Sequence, residues 1–129
     1  MKNELYDYVG ANGQNDIKVW TEGLQKKERA KLNARLDMLA QHGVGLFPHI
    51  LTNTPTPGIL KLRCHGNVQL RPMLCNGPIS VNSEFTLLIG ATERDFRFDP
   101  LDADSLANVR KQEVNIDPAN RRKKHERVT

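Results

Sequence analysis

Between Gly58 and Cys75 the chain reads GILKLRCHGNVQLRPMLC, and its side chains change kind with a period of two. Leu60, Leu62, Cys64, Val68, Leu70 and Leu74 are apolar at even positions; Lys61, Arg63, Gln69 and Arg71 are polar at odd ones. Successive side chains of a strand point to opposite faces, so the pattern predicts two strands, each with one apolar face. Register is then constrained, because a slip of one residue exchanges the faces. The reading that keeps both apolar sets together sets Leu62 against Leu70 and Lys61 against Arg71. It leaves a three-residue connection, His65-Gly66-Asn67, with Gly or Asn available for positive φ. The opposite face then gathers Lys61, Arg63 and Arg71, in a stretch with no acidic residue.

The segments around this hairpin read more simply. Leu5–Val9 has the alternation of a short strand, and GANGQN ends it. Asp16 can cap a helix carrying Ile17, Trp20 and Leu24 on one side, with Trp20 a core residue. A second helix, KKERAKLNARLDMLAQHG, has Leu32, Leu36, Leu39 and Ala40 as its stripe and Gly43 at its end. The proline-containing stretch Val44–Gly58 reads as a loop, and so does NGPISVNSE. EFTLLIG is apolar enough for a central strand, with ATERDFRFDP continuing or leaving it. Asp102 or Asp104 can cap a last helix bearing Leu106, Val109 and Val114. Strand, two helices, three strands and a helix indicate an α+β fold with the helices on one face of an antiparallel sheet.

The chain has 129 residues, one domain's worth, and no apolar run long enough to span a membrane. Its first residues lack the apolar core of a signal peptide, which points to the cytoplasm. The net charge of +4 equals that of Pro118–Thr129, where five basic residues meet one acidic, so fourteen of each balance elsewhere. Residues 1–114 are therefore expected to form the domain, and 115–129 a flexible basic tail. Cys64 and Cys75 are expected to be buried free thiols. No His, Cys, Asp or Glu cluster has metal-ligand spacing, so neither metal nor cofactor is expected.

LDMLAQHG, the proline loop, GILKLR, the strand bearing Arg71, FTLLIGATERDFRFDP and a short final helix together resemble the RelE/ParE toxin superfamily. The similarity is greatest to its HigB-like, phage-derived branch and covers roughly residues 5–114. GILKLR is similar to the family's GLYELR strand start, and LLIGATER to its LLHGFxKK segment. The resemblance implies a RelE-like toxin of a type II toxin–antitoxin system, held by a cognate antitoxin that is a small DNA-binding protein. It implies a ribosome-dependent mRNA endonuclease, or, in the ParE-like alternative, an inhibitor of DNA gyrase. Carried onto this chain, the family's functional positions fall on Lys61, Arg63, Arg71, Arg94 and Arg97. Glu93-Arg94 stands where HigB-like sequences have paired lysines, and no late tyrosine follows. A catalytically degenerate prophage binding protein is the third reading.

Metal-free RNA cleavage needs a proton acceptor for the 2′-hydroxyl, a held phosphate, and cations for the developing charge. Arg63 and Arg71 suit the last task, because a guanidinium forks onto two phosphate oxygens. In the expected register Lys61, Arg63 and Arg71 lie within about 5–8 Å of one another. Lys61, Glu93, Asp95 and His65 are the candidates for proton transfer, and Lys61, Arg63, Arg71, Glu93 and Arg94 form the predicted catalytic set. Lys61, Arg63, Arg97 and the tail cations Arg121, Arg122, Lys123 and Lys124 are the candidates for RNA contacts.

Overall fold

The segment Glu84–Ile89 is buried at all six positions, and a strand without a solvent face needs cover on both sides. That requirement organises the computed structural model, which describes residues 3–129. In chain order it has β1 (Glu4–Tyr8), α1 (Asp16–Glu22), α2 (Lys26–His42), a 3-10 turn (Gly43–Leu46), β2 (Leu51–Asn53), β3 (Leu60–Leu62) and β4 (Met73–Asn76). Then come β5 (Glu84–Ile89), β6 (Thr92–Arg94), β7 (Arg97–Asp99), α3 (Ala103–Ile116), α4 (Pro118–Arg121) and β8 (Arg122–Lys124). Six strands form one sheet in the order β2-β3-β4-β5-β1-β8, and β6 and β7 form a separate hairpin.

The α+β class holds, with four α-helices among the described residues, but the layering differs from expectation. The sheet is mixed, because β1 runs parallel to β5. Its two faces are both covered. Ile17, Leu32, Leu36 and Leu39 of α1 and α2 pack with Leu62, Leu74, Phe85 and Leu87 on one side. Ala103, Ala107 and Val114 of α3 pack with Tyr8, Met73, Cys75 and Leu88 on the other. The stripe expected of α3 was Leu106, Val109 and Val114, of which Val109 is 54% exposed and Val114 fully buried. Ala103 and Ala107, both fully buried, share the contact with Val114. Among the described residues no helix is long and apolar enough to cross a membrane.

Local chemistry accounts for several boundaries. Asn15, not Asp16, caps α1: its side chain accepts from the Lys18 N–H and donates to buried Asp7. Asp102 occupies the N-cap position of α3 without a side-chain cap bond. Gly43 ends α2 at φ 53°. The stretch read as a loop after Gly43 also contains β2, which pairs with β3 and puts Leu51 into the core. Gly90 is needed for space, since a Cβ there would lie 2.0 Å from the half-buried Trp20 ring. Cys64 and Cys75 are buried free thiols, which burial pushes up to about 12 and about 11.

The final segment, 115–129, expected to be a flexible tail, holds the end of α3, then α4, then β8, which is the sixth strand of the sheet. β8 pairs antiparallel with β1, setting Tyr6 opposite Lys124 and Tyr8 opposite Arg122. The reason is electrostatic as well as geometric. Arg122 Nη1 donates to buried Glu84 at 3.0 Å, and its guanidinium lies 3.8 Å from the Tyr6 ring centroid. Further along, His125 Nδ1 meets Asp7 at 2.8 Å, and Asn33 donates to the Val128 carbonyl.

Glu84 also accepts from the N–H groups of Ile79 and Ser80. Burial alone would raise its carboxyl; those N–H groups and Arg122 outweigh burial and hold it below the usual carboxylate range. A carboxylate held low in the folded state adds stability above its unfolded value near 4.3, and loses it as pH falls through the folded value. Arg122→Ala should therefore cost about 3–5 kcal/mol at neutral pH in urea unfolding, because it strands a buried charge. It should also flatten the fall of stability below about pH 4.3.

Candidate functional site

Leu60, Leu62, Cys64, Leu70 and Leu74 of the opening hairpin do share a face, while Val68 lies in the connecting loop, 42% exposed, and the strands are paired two residues further along than expected. Lys61 stands opposite Met73, and Cys64 bridges Leu70. The connection is therefore five residues, His65–Gln69, instead of three, and Arg63 is brought opposite Arg71. A shift of two leaves every side chain on its own face, so the grouping of Lys61, Arg63 and Arg71 survives. The loop closes on itself through Gln69, whose Nε2 donates to the Gly66 carbonyl at 3.1 Å.

The odd face has two halves. Ile59, Met73 and Cys75 lie under α3. Beyond the reach of α3, ATERDFRFDP folds back as the β6–β7 hairpin. Its backbone continues the sheet locally: Leu70 bridges Thr92, the Arg71 N–H donates to the Ala91 carbonyl, and the Glu93 N–H donates to the Gln69 carbonyl. Between the two hairpins opens a cleft of about 920 Å³ whose lining includes Lys61, Arg63, Arg71, Glu93 and Arg94. These are the five residues predicted to be catalytic. With Asp95 as the other carboxylate, the lining holds four cationic side chains against two anionic ones.

At the floor Lys61 and Arg71 are 9% and 6% exposed. Glu93 bridges them, accepting from Lys61 Nζ at 3.2 Å and Arg71 Nε at 2.9 Å. Burial would raise the Glu93 carboxyl, but its bonds to Lys61 and Arg71 and their charges prevail and hold it below the usual carboxylate range. Lys61 also lies 5.0 Å from the Phe98 ring centroid, a cation–π contact. Its ammonium is thus committed to Glu93. Arg71 is fixed from three sides, because Nη1 donates to the Leu70 carbonyl at 2.8 Å and Nη2 to Gln69 Oε1 at 3.2 Å. Of five guanidinium N–H groups, two are left for a ligand.

These contacts also determine a tautomer. Gln69 Oε1 accepts from Arg71 while its Nε2 donates to a carbonyl, so the amide has one orientation. His65 Nδ1 lies 2.9 Å from that same Oε1 and must be the donor. In neutral His65 the proton sits on Nδ1 and the lone pair on Nε2. His65 is exposed and lines the cleft.

The remaining predicted cations are elsewhere. Arg97 is exposed on β7, paired across the hairpin with Arg94, and does not line the cleft. Arg121 binds Glu113 and the Tyr8 hydroxyl, Arg122 binds Glu84, Lys123 binds Glu126 and Lys124 binds Glu4. None of the four lines the cleft; all are tied into the last strand and its surroundings.

Sequence reasoning missed Phe96. Asp95 and Phe96 form the two-residue turn of β6–β7 with φ 51° and 64°, a turn in which both central residues are left-handed. For a bulky side chain that conformation costs on the order of 1–3 kcal/mol. Phe96 recovers none of it by burial, since it is 99% exposed. The available signal was RDFR between TER and RFD, two residues flanked by matching short strands. Comparisons with protein-family models, curated proteins and solved structures return no match for this chain.

The bonding of Gln69 has a direct spectroscopic consequence. In neutral His65, the ¹⁵N shifts should report protonated Nδ1, and Gln69→Ala should return the ring to a mixture dominated by protonated Nε2. A wild-type ring already protonated at Nε2 would contradict the assignment.

Proposed function

We propose that the chain is an endoribonuclease of the RelE/ParE kind, closest to the HigB-like branch, acting on mRNA at the ribosome as the toxin of a type II toxin–antitoxin pair. The observation that carries this reading is the convergence of Lys61, Arg63, Arg71, Glu93 and Arg94 on one cleft. The order of an N-terminal strand, a helical hairpin and then the antiparallel strands also agrees with what the resemblance implies.

The cleft suits transesterification at a phosphodiester. The two spare N–H groups of Arg71 and the exposed Arg94 take the phosphate oxygens, where the charge of the transition state grows. His65 Nε2 takes the proton of the 2′-hydroxyl. The 2′-oxygen then bonds to phosphorus as the bond to the 5′-oxygen breaks, and the departing oxygen takes a proton from water. The products are a 2′,3′-cyclic phosphate and a 5′-hydroxyl. Glu93 serves as the resident anion, keeping Lys61 and Arg71 in place before the phosphate arrives. A cognate antitoxin would neutralise the cleft with an acidic or apolar segment.

Expression in bacteria without an antitoxin, with mRNA 5′ ends mapped, tests the reading. Cuts within translated codons are expected. They should vanish in Arg71→Ala and weaken in Arg94→Ala, whose exposed side chain makes folding a lesser concern. His65→Ala should slow cutting about 10²–10⁴-fold, the usual effect of losing an acid–base group. Growth arrest with intact mRNA would overturn the proposal and favour a gyrase-directed inhibitor; absence of arrest would favour a binding protein.

A further inference from the structure

A cleft that is cationic on its floor and carries a bare aromatic ring on its rim has two demands on a ligand. The ligand must be anionic, because four cationic side chains outnumber two carboxylates in the lining. It must also offer a flat face, because Phe96 presents its whole side chain to solvent at 99% exposure. Val68, 42% exposed on the loop of the other hairpin, lines the same cleft. A nucleotide joins both features in one molecule. We infer that Phe96 is a stacking platform for an unpaired base of single-stranded RNA, one base of which rests on the ring while its phosphate reaches the guanidinium groups of Arg71 and Arg94. This rests on the proposed reading of the cleft as an RNA site and adds to it the element that orients the base.

Three observations favour this assignment. The turn holds Phe96 at φ 64°, where a glycine or asparagine would sit without strain, so the ring is not there for the turn. Its exposure excludes a part in the core. Its turn is anchored at the cleft, because Glu93 on β6 is bonded to both Lys61 and Arg71, so the hairpin that carries the platform is joined directly to the cations of the floor. A base in a duplex keeps its faces against its neighbours; a ring such as Phe96 serves bases that have left the stack. The role is one of positioning, since the ring itself touches no reacting atom.

The test uses the full-length protein and a short 2′-O-methyl oligoribonucleotide, which cannot be cut, with affinity read by fluorescence anisotropy. Phe96→Ala should weaken binding about 5- to 150-fold, the range for loss of one stacked base. Phe96→Trp should retain it, with the new indole quenched on binding, and Phe96→Leu should behave like alanine. An oligonucleotide made abasic at the stacked position should bind wild type and Phe96→Ala equally. Arg94→Ala should weaken the intact and abasic probes alike. If Phe96→Ala binds as wild type does while Arg94→Ala does not, the platform is overturned and the RNA reading stands. If wild type binds neither probe, both fall. Loss of growth arrest in Phe96→Ala with oligonucleotide affinity unchanged would mean a protein-anchoring ring, and would overturn the inference as well.

Discussion

A strand with no face left for water is the constraint from which the rest of this fold follows. Once β5 is buried between β1 and β4, both sides of the sheet need apolar cover. The helical hairpin supplies one layer through Ile17, Leu32, Leu36 and Leu39, and α3 supplies the other through Ala103, Ala107 and Val114. The burial of Glu84 at the start of β5 then calls for a cation, and Arg122 brings the last strand to the sheet to provide it. Each addition answers a requirement set by the one before.

The cleft arises where that second layer ends. On the odd face of β3 and β4, α3 covers Ile59, Met73 and Cys75 and leaves Lys61, Arg63 and Arg71 to the β6–β7 hairpin. Two nearly buried cations need an anion close by, and Glu93 is placed by the backbone bonds that join residues 69–71 to 91–93. The same carboxylate that neutralises the floor thus fixes the hairpin bearing Phe96. Gln69 performs a parallel task on the other wall, since one amide aligns Arg71, closes the loop at Gly66 and places the His65 proton on Nδ1.

What could be read in advance depended on the kind of signal. Alternation placed Leu62, Cys64, Leu70 and Leu74 on one face correctly, because a strand has only two faces. It said nothing about a shift of two residues, which leaves parity intact. The last strand was hidden because charge-rich segments such as RRKK look alike whether solvated or paired. Only Glu84 and Tyr6, far away in sequence, distinguish the two. Leu106 and Val109 drew attention as the larger residues of α3, while close packing against the sheet selected Ala103 and Ala107. The five cleft residues were legible as a set; the orientation of His65 and the ring of Phe96 were not, since both depend on turns formed at the end of the chain of contacts.

The position of β1 between β5 and β8 has a consequence for how the chain reaches this state. Its partners Phe85 and Lys123 lie some eighty and more than one hundred residues from Leu5 and Asp7. Neighbouring hairpins such as β6–β7 can close early, but β1 gains its pairing only after loops of nearly the whole chain have been drawn together. Folding dominated by such distant pairings is slow relative to that of a protein built from local contacts. The cleft walls, drawn from Leu60 to Asp99, belong to the local part, whereas the N-terminal strand holds the most distant pairings in the sheet. Because β8 pairs only with β1, the two ends of the chain depend on one long-range closure.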